Sequence, residues 1–173
     1  MDLTVKGAER YIPVIYRKQK MYFRAEIIYH IMQMLIYLKM FPYFLNNFTI
    51  SRIHFRVTEK SLGKARTMYT HDSKKIWLAH FLGWVRAKTY LKGKRDCILW
   101  KLSKRGETAL DNFINYVEKH PEYWQYTAYK SKKADENKKV FLYAVSELRN
   151  KSEVFENLDE KIKKSKIVMD ELM

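Results

Sequence analysis

A basic β-hairpin predicted over residues 84–102 is the feature that most constrains the fold of this chain. Two runs rich in β-branched and aromatic residues, 84–91 and 97–102, flank the turn LKGKRD, in which Gly93 supplies the positive φ of a tight hairpin. Ten consecutive residues hold five cations and no acid: Arg86, Lys88, Lys92, Lys94 and Arg95. Long cations around a turn suit contact with a row of phosphates, which requires charge more than strict geometry. The alternative is a solvated hairpin whose lysines only protect its edge.

A helix is predicted directly after this basic hairpin. Ser103 can cap its first turn, and the sequence HPEYW marks its end at Pro121. Its inward face has helical spacing: Leu110, Phe113, Ile114 and Val117. The strands therefore lead at once into an amphipathic helix.

Two short helices are predicted before the hairpin. The first is capped by Thr58 and continues to Met68. The second runs from Asp72 to Leu82, with Asp72 or Ser73 as its cap, and Gly83 can end it with a left-handed residue. Two short helices joined by about four residues form a helix-turn-helix.

A long helix is predicted at the start of the chain, from Gln19 to Phe41. Its apolar residues recur at three and four, and Pro42 ends it because proline disfavours helical geometry at the preceding residue. After it, the alternation of Ile53, Phe55 and Val57 suits a short half-buried strand. A helix that uses Ile50, Ile53 and Val57 is the competing interpretation.

The segment FLGWVRAKTYLKGKRDCILWKLSKRGETAL, with its surroundings from Thr58 to Val117, resembles the MarR, PadR and ArsR types of transcription regulator. In those families a recognition helix ends in Leu-x-x-x-Gly-(Leu)-Val, and a basic hairpin and an aromatic-x-Leu-Thr-x-x-Gly-x-x-x-Leu segment follow. The last segment is represented here by Trp100, Leu102, Ser103, Gly106 and Leu110. Ala79 departs from the larger aliphatic residue that is usual. The resemblance implies a winged helix-turn-helix of the α+β class, mainly α with a small antiparallel β-sheet.

The resemblance also implies how such a domain would bind double-stranded DNA. The helix from Asp72 to Leu82 would enter the major groove and the basic hairpin would act as the wing. The candidate residues for base edges or flanking phosphates are His71, Ser73, Lys74, Lys75 and His80. Further candidate phosphate contacts are Arg56, Lys60, Lys64, Arg66, Lys101, Lys104 and Arg105. We expect Trp77 and Trp84 to pack in the core or at a hinge instead of contacting bases, and His80 has an ordinary surface or half-buried histidine as its alternative.

The charge distribution favours a nucleic-acid partner. Lys and Arg total 34 against 19 Asp and Glu, and nearly all of the excess lies in the first 120 residues, since residues 121–173 hold 11 cations and 10 acids. No apolar run is long enough to span a membrane, and Cys97 is the only cysteine. We therefore expect a cytoplasmic protein of a prokaryotic cell or its nucleoid, encoded by the chromosome, a plasmid or a virus. The alternative is a basic protein whose charge only keeps it in solution.

Enzyme chemistry has little support in the sequence. The chain has no glycine-rich phosphate loop and no cysteine pair for zinc, and its five histidines are scattered without ligand spacing. We therefore expect no catalytic residues, no metal and no cofactor, and no effector ligand is evident.

Residues 134–173 are predicted to form one long helix with a seven-residue apolar repeat. Such a seam tends to pack against a helix of a second subunit, and the near-neutral charge of the segment suits a protein contact. The residues that would form this homodimer seam are Phe141, Leu148, Phe155, Leu158, Ile162 and Met169. The alternative is that the helix packs back on its own domain.

The predicted organisation has four parts: an N-terminal arm (1–19), a winged helix-turn-helix domain (20–120), an aromatic and basic connector (121–133) and a C-terminal dimerisation helix (134–173). The connector aromatics would attach it to the domain, or would stack on single strands. The functional expectation is a dimeric double-stranded DNA-binding protein, a sequence-preferring transcription regulator that acts by operator occupancy. The alternatives are a replication, partition or chromatin-organising protein and, from another class, a winged-helix protein adaptor.

Overall fold

A computed structural model describes residues 11–68, 73–92, 95–151 and 153–164. The fold is mainly helical with two small antiparallel sheets, so the expected α+β class is confirmed. The elements are β1 (Tyr11–Tyr16), β2 (Gln19–Arg24), α1 (Ala25–Met40), α2 (Asn47–Leu62), α3 (Ser73–Phe81), β3 (Val85–Lys92), β4 (Arg95–Leu102), α4 (Lys104–Lys119), a 3-10 helix (Pro121–Tyr126), α5 (Ser131–Asn150) and α6 (Glu153–Lys163). Among the described residues, no helix has the length and apolar character needed to cross a bilayer.

Helix α1 lies at the centre of the core. Every residue from 31 to 38 is buried, and α2, α3, α4 and α5 all pack around it. A helix that is apolar on nearly all sides is stable only when other elements cover it, which this packing provides. Its C-cap is Phe41, directly before Pro42, as the sequence predicts.

The start of this helix differs from the prediction, because residues 19–24 form a strand. Strand β2 pairs with β1 across a turn in which Arg17 and Lys18 have φ values of 49° and 64°. Two residues with positive φ give the turn geometry that matches the right-handed twist of a hairpin. The helical spacing extends by coincidence into β2 through Phe23, whereas pairing with β1 decides the structure. Residues 1–10 of the predicted arm lie outside the described residues.

The strand predicted at residues 53–57 is wrong, and the competing helical interpretation is confirmed by α2. Asn46 caps this helix through its side-chain oxygen, which accepts a hydrogen bond from the Thr49 amide at 2.8 Å. Thr58 therefore lies inside the helix and donates to the carbonyl of His54 at 2.9 Å instead of capping. Gly63, with φ of 75°, ends the helix. The described residues 63–68 that follow contain no helix, so the connection to α3 is longer than the predicted four-residue turn.

The basic hairpin and the following helix are confirmed. Strands β3 and β4 pair from Val85 opposite Leu102 to Lys92 opposite Arg95, and residues 93 and 94 at the turn lie outside the described part. The Ser103 side chain accepts from the Gly106 amide at 3.0 Å, so it caps α4 as predicted. The four predicted inward residues of α4 are all buried.

The single C-terminal helix is wrong, because α5 and α6 are separate helices. Lys151, with φ of 39°, ends α5 in a left-handed conformation that a continuous helix cannot contain. The described seam residues lie inside one chain: Phe141, Phe155, Leu158 and Ile162 are buried, and Leu148 is partly buried against the core. The alternative in which this segment packs on its own domain is therefore confirmed, while Met169 lies outside the described residues.

The connector contributes to the core. Tyr123 and Trp124 of the 3-10 helix are buried, and the Tyr123 hydroxyl donates to the Ala25 carbonyl at 2.6 Å. Tyr129, by contrast, is 82% exposed. The expectation that most of these aromatics attach the connector to the domain is confirmed.

A buried polar network joins α1 to α2. The Gln33 amide donates to the Tyr37 hydroxyl at 2.9 Å, and that hydroxyl lies 2.6 Å from Nδ1 of His54. Because the tyrosine oxygen accepts from Gln33, its own proton is directed to His54, which must then be neutral with its proton on Nε2. Burial, with the nearby charges of His30 and Arg66, lowers the pKa of His54 to about 3.

Acidification is expected to destabilise the protein through His54. Unfolded histidine has a pKa of about 6.5, so below that pH the unfolded chain gains a proton that the folded chain takes up only near pH 3. Stability is therefore lost as the pH falls, by about 2 kcal/mol between pH 8 and pH 5 from this group. Urea unfolding at both pH values should show a smaller loss for His54→Gln than for the wild type. An equal loss in the two proteins would contradict the neutral buried imidazole.

Candidate nucleic-acid interface

The outward face of α3 carries one lysine and three aromatic rings. Lys74, Trp77, His80 and Phe81 are exposed, whereas Ile76 and Ala79 are buried against the core. Half-buried Lys75 lies on the flank of the helix, where its side chain lines a cavity under α3 instead of the outward face. The two lysines predicted to read DNA together therefore point in different directions.

Of the two positions predicted for Trp77, in the core or at a hinge, the core position is wrong. The Trp77 side chain is 44% exposed, and its ring meets the buried Trp100 of β4 edge to face at 4.9 Å between centroids. His80 stands beside both rings, with centroids 5.5 Å from Trp77 and 6.1 Å from Trp100. Trp84 is buried as predicted. The aromatic contacts thus attach the exposed side of α3 to the sheet.

Three cations of the basic hairpin surround the ring of Phe44. Arg86, Lys88 and Lys101 place their charged groups 5.9, 5.6 and 5.6 Å from its centroid. Arg86 is paired with Lys101 across the strands and Lys88 is two residues along β3, so all three lie on one face of the hairpin. Contact with an aromatic face attracts each cation. We refer to these three cations and Phe44 as the cationic cluster.

Backbone contacts fix the hairpin relative to α3. The Trp84 amide donates to the Ala79 carbonyl at 2.9 Å, and the Ser103 amide donates to the Trp84 carbonyl at 3.0 Å. The Ser103 hydroxyl also donates to the carbonyl of Gly83, which has the left-handed φ of 80° predicted for it. Helix α3 is therefore joined to the hairpin by backbone hydrogen bonds, and the cationic cluster lies on the face of the hairpin opposite to Trp100.

A third chain segment joins the hairpin sheet at Leu45. The Leu45 amide donates to the Trp100 carbonyl and the Trp100 amide to the Leu45 carbonyl, both at 2.8 Å. The indole of Trp100 also donates to the Asn47 side chain at 2.9 Å. This bridge places Phe44 beside the hairpin cations. No local sequence signal marks it, because the partners lie more than fifty residues apart.

Lys101 belongs to the cationic cluster, and the other six candidate phosphate contacts fall into two groups. Acids neutralise part of the first group: Arg56 pairs with Glu59 at 3.2 Å, and Lys64 and Arg66 share Glu136 at 3.0 and 3.5 Å. The hydrogen bond from Lys64 is the largest cause of the lowered pKa of Glu136. The second group, Lys60, Lys104 and Arg105, is exposed. Only the second group, with Lys101, adds clearly to the positive surface.

Several predicted site residues cannot be placed. His71 and Lys94 lie outside the described residues, as do the side chains of Ser73, Lys92 and Arg95. Exposed aromatics that the sequence did not single out extend the surface along α2: Phe48 is 68% exposed beneath the guanidinium of Arg52, at 5.8 Å. Within the described part of the chain, no three His, Cys, Asp or Glu side chains are grouped as metal ligands.

Comparison of the chain with protein-family models, with curated proteins and with solved structures found no significant match.

Proposed function

We propose that this chain is a winged helix-turn-helix protein that binds double-stranded DNA and regulates transcription by operator occupancy. The observation that carries the proposal is the order of elements around the hairpin: helix α1, the Leu45 bridge, α2, α3, then β3 and β4. A winged helix has a helix, a short strand, two helices and a two-stranded wing in this order, with the short strand added to the wing sheet. The long connection that begins at Gly63 is the departure from a tight helix-turn-helix.

The charge and shape of the surface support duplex binding. A major groove about 12 Å wide admits one helix, and the exposed face of α3 carries Lys74 and His80 as hydrogen-bonding groups. The cationic cluster would contact the phosphates beside the groove occupied by α3. Three like charges around Phe44 repel one another, and a row of phosphates would relieve that repulsion.

The exposed rings favour a second candidate, a protein adaptor. Trp77, Phe81 and Phe48 are 44%, 59% and 68% exposed, and aromatic residues are enriched where proteins associate. Footprinting separates the candidates. One short protected site supports a regulator, a repeated array supports replication or partition, continuous coverage supports chromatin organisation, and no protection supports the adaptor.

The proposed duplex binding does not require the predicted homodimer. Four residues of its seam, Phe141, Phe155, Leu158 and Ile162, are buried within one chain, so a dimer through them would require them to leave the core. A dimer would need another surface, and the exposed aromatic surface is available for one.

Duplex affinity is expected to fall steeply with salt because Lys and Arg contacts release condensed counterions. For roughly four to eight phosphate contacts, log K against log salt should slope by about −4 to −7. Replacing Arg86, Lys88 and Lys101 together by Gln should make the slope about 2–3 less steep and weaken all sequences similarly. Fluorescence anisotropy over a salt series measures both effects.

A matched control removes the same charge from positions outside the hairpin. Lys119, Lys130 and Lys139 are exposed on or beside α4 and α5, and their replacement by Gln should leave most of the slope intact. If both triple variants lose equal slope, the attraction is general and the cationic cluster is not a binding surface. A wild-type slope near zero would remove the electrostatic basis of the proposal.

A further inference from the structure

A cavity of about 810 Å³, distinct from the one under α3, lies between the β1–β2 hairpin and helix α4. Strand β1 and its turn form one wall and α4 forms the other, while side chains of α1 and of the segment after α3 provide a buried floor. The volume is within the range of about 300 to 1,000 Å³ that is usual for small-ligand sites. No residue of the cationic cluster lines this cavity.

Most of the lining side chains are apolar, and several keep accessible surface. Val14, Ala109 and Tyr116 are only half-buried, and Pro13 is exposed. Trp84, which is 5% exposed, lies at the floor with most of its surface already covered. Contact between an apolar wall and water is unfavourable, so a ligand whose apolar body displaces this water gains free energy on binding.

Four cations also line the cavity: Arg17, Lys18, Lys104 and Arg105. All four are exposed, which places them at the mouth of the cavity instead of its apolar part. None of the described lining residues is acidic, and within the described part of the chain none of the four cations forms an ion pair. Because a local field of one sign concentrates ligands of the opposite charge, this mouth favours an anionic head group.

The two arginines converge on the same end of α3 from opposite walls. Tyr16 stacks on Phe81 with centroids 5.2 Å apart, and the Arg17 guanidinium lies 5.3 Å from the Tyr16 centroid. From the other wall, Arg105 reaches Gly83, where its Cδ and Nη1 lie 3.4 Å from the position of an added Cβ. A planar guanidinium can hold a carboxylate or a phosphate through two parallel hydrogen bonds, so this pair favours an oxyanion head.

We propose that this cavity binds a small amphipathic anion, with its apolar chain against Val14, Ala109 and Tyr116 and its oxyanion head between Arg17 and Arg105. A free fatty acid and a single-chain alkyl phosphate share this chemistry. The lysines at the mouth add charge without a fixed hydrogen-bond geometry. The site requires no DNA, so it goes beyond the proposed duplex binding and does not depend on it.

Titration calorimetry of the full chain without DNA, with each ligand below its micelle concentration, tests the proposal. Decanoate should bind saturably, and each methylene added between hexanoate and decanoate should tighten binding about two- to fourfold, because it buries more apolar surface. Decanol, which has the same chain length and no charge, should bind about tenfold more weakly or less. The tighter ligand of decanoate and decyl phosphate identifies the preferred head group.

Variants separate the head-group contacts from the apolar wall. Arg17→Gln with Arg105→Gln should weaken decanoate about tenfold or more and leave decanol unchanged, since only the charged head contacts the arginines. Ala109→Phe should weaken both ligands, because the added ring occupies the cavity. Lys119→Gln with Lys130→Gln removes the same charge from exposed positions outside the lining and should change neither affinity. Thermal unfolding monitors the fold of each variant.

Distinct results overturn the proposal. Absence of saturable decanoate binding means that the cavity holds only solvent. Equal affinities for decanoate and decanol remove the role of the anionic head, and equal losses in the two double charge variants reduce the attraction to the overall charge of the protein. If Ala109→Phe does not fold, the double arginine variant still decides, because unchanged decanoate affinity in it refutes the site.

Discussion

Replacing Phe141 by alanine is expected to lower the free energy of unfolding by about 3–5 kcal/mol, the usual cost of truncating a fully buried phenylalanine. The side chain of Phe141 is completely buried. Its ring centroid lies 5.3 Å from that of Phe113 in α4 and 5.4 Å from that of Trp124 in the 3-10 helix. The cavity left by alanine would lie where α5 meets those two elements, where the surrounding rings can close it only in part. Urea unfolding followed by tryptophan fluorescence and circular dichroism measures the loss.

The concentration dependence of unfolding separates this packing from a dimer seam. Because the contacts of Phe141 belong to one chain, the free energy of unfolding that Phe141→Ala loses should be the same at all protein concentrations. Leu142, its neighbour, is 41% exposed, and Leu142→Ala should cost less than about 1 kcal/mol. A Phe141→Ala protein of near wild-type stability, or one whose deficit grows on dilution, would restore the intermolecular interpretation of the heptad pattern.

The heptad repeat shows what a sequence pattern does not specify. A repeat of apolar residues identifies the face that must be buried, and that face is buried here. It does not identify the partner, and the partner is the same chain's core: Phe155 packs against Phe41, with centroids 5.7 Å apart. The break at Lys151 lets α6 depart from the line of α5 and reach that contact. Tertiary packing, which has no local signature, decided between the two alternatives.

Local signals were most informative from α3 to α4. Gly83 adopts a left-handed conformation, and the Ser103 side chain caps the amide of Gly106. Both features depend only on residues close together in the sequence. At the N-terminal end the evidence was weaker, because β2 exists only through its pairing with β1. The segment at 53–57 fitted two periods at once. Phe55, which the strand interpretation placed beside buried residues, is 43% exposed on α2.

The candidate interface was predictable in its charge and unpredictable in its arrangement. The basic residues of the hairpin were evident in the sequence, whereas their gathering around Phe44 depends on the bridge between Leu45 and Trp100. The predicted pair Lys74 and Lys75 divides between the surface and the cavity under α3, since adjacent helical residues point about 100° apart. Trp77 packs against Trp100 at the surface instead of entering the core. Composition and spacing cannot show this contact.

The joint between the hairpin and α4 leads to the second large effect, at Gly106. A Cβ added there would stand 1.9 Å from the Trp84 carbonyl oxygen and 2.8 Å from Cδ1 of Leu102. That carbonyl cannot simply retreat, because it accepts the Ser103 amide at 3.0 Å and belongs to the segment that joins α3 to β3. The close approach of two backbones therefore explains the glycine in the first turn of α4.

Gly106→Ala is expected to destabilise the protein by about 3 kcal/mol, the upper end of the usual cost of overpacking, because backbone must move instead of a flexible side chain. Gly63→Ala is the matched control. Gly63 has φ of 75° and nothing within 4 Å of an added Cβ, so it should cost only the left-handed strain of about 1–2 kcal/mol. Urea unfolding of both variants gives the comparison. The close backbone approach is refuted if Gly106→Ala is no more destabilising than Gly63→Ala, since α4 would then shift away from Trp84 at little cost.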